Sequence, residues 1–206
     1  MNGKKNDGSR KGKLIAIEGI DGAGTTTQTV IIARWLKRFC TMVHRTSEPS
    51  RGPLGKYIRH LLKNKKASKE QLALLFAADR LDHIERKVMP ALKRGAWIVT
   101  DRYRLSSLAY QGAECDPRWV RAINKHAPIA DLTILIDLPV KTALKRIKSR
   151  GATRERFESQ KQLEKIRKKY LELAKKKSEG RVVIVDGSPS AKDVTLKIKE
   201  AIQSFV

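Results

Sequence analysis

The chain has 206 residues, 45 Lys/Arg against 21 Asp/Glu for a formal charge of +24, and 40% hydrophobic with 5% aromatic residues. That length suits one compact domain with a full core, and the composition excludes collagen-like, disordered and bilayer-spanning chains. The charge surplus points to anionic partners without saying which, and sixteen Lys/Arg against five Asp/Glu over residues 141–181 gather much of it in one region.

Residues 1–13 are rich in Gly, Lys and Asn and lack the apolar stretch of a secretory signal. They read as a flexible basic tail before a single domain over residues 14–206, expected in the cytoplasm. Apolar runs at residues 14–17, 97–99, 132–136 and 182–185 read as buried parallel strands, with a weaker one at 41–44. Helical patterns are expected over residues 28–39, 68–93, 139–150, 159–177 and 191–205. Strands separated by helix-sized connections predict a doubly wound α/β fold. Ser68 and Gln71 form a capping-box pattern ahead of Leu72, Leu75 and Phe76, so a helix starts there and is expected to bury that face. Pro139 and Gly151 bracket another helix, and residues 151–157, without apolar periodicity, read as a loop. Cys40 and Cys115 fit no zinc or redox spacing and are assigned no chemistry.

After the first strand comes Gly19-Ile20-Asp21-Gly22-Ala23-Gly24-Thr25-Thr26. The spacing matches a phosphate-binding loop, whose backbone N–H groups wrap phosphates at a helix N-terminus. Thr26 supplies the hydroxyl expected on Mg²⁺, but Thr25 stands at the lysine position. Losing one preorganised donor aimed at transition-state charge costs about 3 to 4 kcal/mol unless another cation replaces it.

Glu18 through Gly24, then Glu48-Pro49 with Gly52-Pro53-Leu54-Gly55, then Leu75-Phe76-Ala77-Ala78-Asp79-Arg80, then Asp101-Arg102-Tyr103 with Ser106 and Ala109-Tyr110-Gln111-Gly112, occur in an order that resembles the thymidylate kinase family. The resemblance runs from Leu14 to the C-terminus. It implies a three-layer phosphate-loop fold with a five-stranded parallel sheet and a helical lid at residues 146–160, and transfer of the γ-phosphoryl group of ATP to dTMP with Mg²⁺. ATP is then expected at Gly19, Asp21, Gly22, Ala23, Gly24, Thr25 and Thr26, with Arg146 and Arg150. The resemblance puts dTMP at Asp21, Glu48, Phe76, Arg80, Arg102, Ser107, Tyr110 and Gln111. Phe76 would stack on the base, unless it is a core aromatic, while Arg80 on the same helix face reaches an oxygen of that nucleotide. Asp21 would accept from the 3′-hydroxyl, Tyr110 would crowd the 2′ position, and Arg102 would hold the acceptor phosphate.

Asp101 is expected either as an outer-sphere Mg²⁺ carboxylate or as a cap to the turn that follows. Ser47 stands where the family has an arginine, and Arg45 or Arg51 is the candidate to replace it. Family members with glycine at the position of Gly22 tend to carry the catalytic arginine in the lid, which makes Arg150, then Arg154, the candidates to stand in for the missing lysine; Asp21 and Arg102 complete the expected catalytic set. The family is usually dimeric, so a homodimer is implied. The lysines over residues 161–177 alternate with an apolar stripe and read as the wet face of an amphipathic helix. With few aromatics to stack on bases, nucleic acid is not an expected partner, nor is a membrane. A kinase of the same fold with broader specificity, dUMP included, and a nucleotide- or nucleic-acid-binding relative with weakened catalysis are the other readings.

Overall fold

A computed structural model of the protein describes residues 12–64, 66–149 and 159–205. Its centre is a parallel sheet of β1 (Leu14–Gly19), β2 (Val43–Ser47), β3 (Trp97–Asp101), β4 (Leu132–Asp137) and β5 (Val182–Asp186), in spatial order β2-β3-β1-β4-β5. β1 and β4 are almost wholly apolar and buried, as interior strands covered on both faces must be. Strand alternation divides the core: Ile15, Ile17 and Val99 join one apolar cluster, while Leu14, Ala16 and Ile98 join another.

The helices are α1 (Thr25–Leu36), α2 (Pro53–Asn64), α3 (Lys69–His83), α4 (Met89–Lys93), α5 (Arg104–Glu114), α6 (Pro117–Ile123), α7 (Val140–Ser149), α8 (Gln160–Ala174) and α9 (Ala191–Gln203). Ser68, Ser159 and Ser190 cap α3, α8 and α9, each hydroxyl accepting the N–H three residues on. α2, α5 and α6 were not among the expected helices, although Pro53 and the Asp116-Pro117 pair are start signals, and Asp116 does cap α6.

Two expectations need revision. The continuous helix over residues 68–93 divides at a π-helical turn, Ile84–Val88. Pro90 has no N–H to offer the carbonyl of residue 86, so the chain widens just before it. The buried face of α3 is also not Leu72, Leu75 and Phe76, which are half-buried, but Ala73, Ala77 and Arg80. Small residues let the helix approach closely, and the larger apolar side chains remain at its flank. On α8 the expected stripe of Leu163, Ile166, Tyr170, Leu171 and Ala174 holds in part: the first three are buried, Leu171 and Ala174 are half-buried, and Leu173 is buried as well.

Candidate active site

The loop between β1 and α1 rises from the carboxyl end of the central strand, where open α/β sheets present ligand sites. Gly24 takes the left-handed conformation at φ 96° and starts α1 without a side-chain cap, leaving first-turn N–H groups directed at the loop's interior. Gly22 is also left-handed, at φ 84°, and a Cβ there would stand 2.7 Å from the Ala143 carbonyl oxygen and 3.1 Å from Ile147 on α7. The loop therefore packs directly on the helix that leads towards residue 150.

Thr25 and Thr26 are the first residues of α1, three positions earlier than the expected helix start. Their side chains diverge. Thr25 is buried, with its Cγ2 3.4 Å from where a Cβ on Gly19 would lie. Thr26 is exposed and its hydroxyl donates to Asp101 Oδ2 at 2.5 Å. The second oxygen of that carboxylate, Oδ1, is buried and accepts no hydrogen bond among the described residues. A carboxylate with one unmet oxygen beside a threonine hydroxyl suits an oxygen-preferring divalent cation.

Arg146 on α7 lines a cavity of about 260 Å³ with Ala23, Gly24, Gln28 and Gly187. Its Nη2 donates to the carbonyls of Gly187 and Ser188, at 3.0 and 3.4 Å. Arg150 and Arg154 lie outside the described residues.

Arg102 follows β3 at φ 66°, a left-handed conformation that costs a non-glycine residue about 1 to 2 kcal/mol. Its amide donates to the Ile17 carbonyl at 2.9 Å and its own carbonyl accepts from Thr100 Oγ1 at 2.8 Å, so backbone contacts on both sides hold the turn. The side chain thereby reaches back over β1. Nη2 donates to Asp21 Oδ1 at 2.6 Å and to the Tyr110 hydroxyl at 3.2 Å, while Nη1 donates to Ser106 Oγ at 3.2 Å. The guanidinium also sits 4.9 Å from the Tyr110 ring centre. Burial disfavours the charge, but Tyr110, Asp21, Tyr170 and Glu18 around it hold Arg102 well above its ordinary pKa.

Beneath this cluster lies Glu18, fully buried near the end of β1. Oε1 accepts from the amides of Tyr103 and Ser106 at 2.9 and 3.1 Å, and Oε2 from Ser106 Oγ and the Tyr170 hydroxyl at 2.5 and 3.0 Å. Burial pushes its pKa up to about 7, with the Ser106 hydroxyl, Arg102 and Tyr170 pulling the other way. Glu18 thus organises the turn that presents Arg102. Tyr170 closes the arrangement from α8, its ring meeting Tyr110 edge to face at 6.1 Å.

A second group lies between α3 and α5. Arg80, 1% exposed, donates from Nε to Glu48 Oε2 at 2.8 Å, from Nη2 to Ser107 Oγ at 3.0 Å and the Tyr103 carbonyl at 3.3 Å, and from Nη1 to Asn124. Its fork is turned into the protein and makes four hydrogen bonds there. Ser107 is likewise buried rather than solvent-facing, while Phe76 and Gln111 are half-buried on α3 and α5. The structure brings Asp21, Arg102 and Tyr110 together, and separately Glu48, Arg80 and Ser107. Arg45 and Arg51 instead line a groove at the β2 edge.

Sequence reasoning assigned no role to Tyr170, Asn124 or His83. Tyr170 passed as one member of an apolar stripe. Glu18, quoted only as part of a motif, did carry a signal: a carboxylate in an otherwise apolar buried run demands partners.

Among the described residues no helix is long and apolar enough to cross a membrane. A family model described as thymidylate kinase matches residues 17–198. The chain is 44% identical over 181 residues to "Probable thymidylate kinase" of Pyrococcus horikoshii, covering 84% of this chain and 88% of that protein. It is 42% identical to "Thymidylate kinase" of Akkermansia muciniphila over 74% and 75% of the two chains, and 36% identical to "Thymidylate kinase" of Nitrosomonas eutropha over 95% and 94%. With a glycine-rich loop after β1 facing Arg102 after β3, and this similarity along most of its length, the chain belongs to the thymidylate kinase family.

Proposed function

We propose that the protein transfers the γ-phosphoryl group of ATP to dTMP, giving dTDP and ADP. The observation that carries this reading is the Arg102 side chain, joined at 2.6 Å to Asp21 of the phosphate loop and resting on Tyr110. That contact supports reading Arg102 as an acceptor-side cation beside a donor-side loop, as in-line transfer between two bound nucleotides requires.

The donor phosphates lie on the N–H groups of the Gly19 to Thr26 loop, and the adenine side extends into the cavity beside Arg146. Thr26 and Asp101 would hold Mg²⁺, which when bound neutralises charge on the donor phosphates. Arg102 gives its fork to the acceptor phosphate, and Asp21 accepts from the acceptor sugar. Tyr110 limits space at the 2′ position. Phe76 flanks the base, while Arg80, paired with Glu48 and donating to the Ser107 hydroxyl, braces the wall behind it. No covalent intermediate is needed; the residues position and neutralise.

Thr25 is buried and uncharged, so the charge of the absent lysine comes from elsewhere. Arg150, then Arg154, within a lid over residues 146–160 are the side chains assigned that role. A homodimer through α2 and α3 suits the exposure of Tyr57, Leu62 and Leu74 there.

A coupled assay of dTDP formation, run on the parent, Thr25→Lys and Arg150→Ala with dTMP, dUMP, dCMP and dGMP, tests this reading. Turnover of dTMP by the parent that collapses in Arg150→Ala supports it. Turnover only in Thr25→Lys would leave a nucleotide-binding relative without catalysis, and equal turnover of dUMP would mark a broader kinase.

A further inference from the structure

At the free edge of the sheet, beyond β2, a groove of about 450 Å³ is walled by His44, Arg45, Arg51, Arg86, Lys87 and Arg94. No Asp or Glu lines it. Arg86 pairs with Asp82 at 2.5 Å, whereas Arg45, Arg51, Lys87 and Arg94 have no ion-pair partner among the described residues. These cations come from four separate places: the edge strand, the segment after Pro49, the π-helical turn and the residue after α4. A surplus of charge spreads over a surface to lower its repulsion, so convergence of four segments on one concavity sets up a local positive field that an anion relieves. The π-helical turn is what separates Arg86 and Lys87 from the register of α3 and sets them on this wall.

The groove is separate from the acceptor-side cluster. Glu48, 5% exposed, stands between them, with Oε2 on Arg80 at 2.8 Å and Oε1 3.4 Å from His83 Nδ1. His83 in turn shares a hydrogen bond of 2.7 Å with Thr46 on the groove's floor.

We infer that this groove is a second anion site, binding a linear oligophosphate of three or more phosphates, either free or as the tail of a nucleoside polyphosphate. Its volume suits a ligand of that size. Arginine forks and a lysine are what such a chain asks for. No Phe, Tyr or Trp lines the groove, so nothing there stacks on a base; the phosphates are read and nucleic acid is disfavoured.

The test is a calorimetric titration of inorganic tripolyphosphate into the full chain, held saturated with dTMP and a non-hydrolysable ATP analogue so that the phosphate loop is filled. One equivalent is expected to bind. Lys87→Glu/Arg94→Glu should weaken it by roughly thirtyfold, as loss of two charge-assisted contacts does. Lys141→Glu/Lys145→Glu on α7 makes the same change in net charge and should weaken it by less than about threefold. A parallel titration with a nucleoside triphosphate separates the two sources: equal affinity means that the phosphate chain alone is the ligand, and tighter binding means that the nucleoside adds to it. No binding at about 1 mM, equal weakening in both double variants, or displacement by a single-stranded oligonucleotide at far lower concentration than tripolyphosphate would each overturn the inference.

Discussion

The Tyr170 hydroxyl donates to Glu18 Oε2 at 3.0 Å, joining the first strand to the eighth helix across 152 positions of sequence. The same hydroxyl lies 2.8 Å from Ser106 Oγ and 3.4 Å from Arg102 Nη1. Tyr170→Phe keeps the ring and removes this junction, leaving Glu18 one donor short in a buried site. Stability should fall by about 1 to 2 kcal/mol, read as a lower urea midpoint. The KM for dTMP should rise while that for ATP stays level, because the loosened element is Arg102 and not the phosphate loop.

Glu18 makes stability depend on pH. Its folded pKa of about 7 lies above the ordinary carboxylate value of 4.5, so the native state holds a proton that the unfolded chain has released. Its contribution is present in full below pH 4.5 and is lost as pH rises through 7, a swing of roughly 3 kcal/mol. Urea unfolding at pH 5 and at pH 8 should show that loss in the parent. Glu18→Gln should flatten this part of the profile; an unchanged slope would remove Glu18 as its source.

Arg102→Lys retains the charge but not the planar fork that reaches Asp21, Tyr110 and Ser106 together. Steady-state assays should show kcat/KM lower by about a hundredfold to a thousandfold. The left-handed turn persists in the variant, so its thermal midpoint should move little beyond the loss of these contacts.

Arg80→Met leaves Glu48 buried without its ion pair, and should destabilise the fold by about 3 to 5 kcal/mol. Arg80→Met combined with Glu48→Gln should recover part of that loss. A double-mutant cycle by chemical denaturation measures the coupling, and simple additivity would mean the two residues stand independently.

The phosphate loop was legible because glycines, spacing and the flanking strand and helix all point the same way, and four of the strands were legible as short apolar runs; β2, Val43–Ser47, is a largely polar edge strand that meets the weaker run expected at 41–44 only at Val43 and His44. Arg102 was legible as a residue at a strand's carboxyl end. The inward turn of Arg80 was not: an i,i+4 spacing with Phe76 says that two residues share a helix side, not which way it faces. Ala73 and Ala77, too small to dominate an apolar pattern, decide that question through close packing. The Glu18, Ser106 and Tyr170 network was hidden because its members are distant in sequence and each has a plausible solitary role.

The packing of Gly22 on α7 restricts how the protein can replace its missing lysine. With the Ala143 carbonyl oxygen 2.7 Å from where a Cβ at residue 22 would lie, the loop has no room for a cationic side chain there, and the backbone at φ 84° resists one as well. Position 22 is therefore closed to a compensating cation. A helix 121 positions away thus removes one loop position from those that can carry a charge, by steric exclusion before any chemistry is tested.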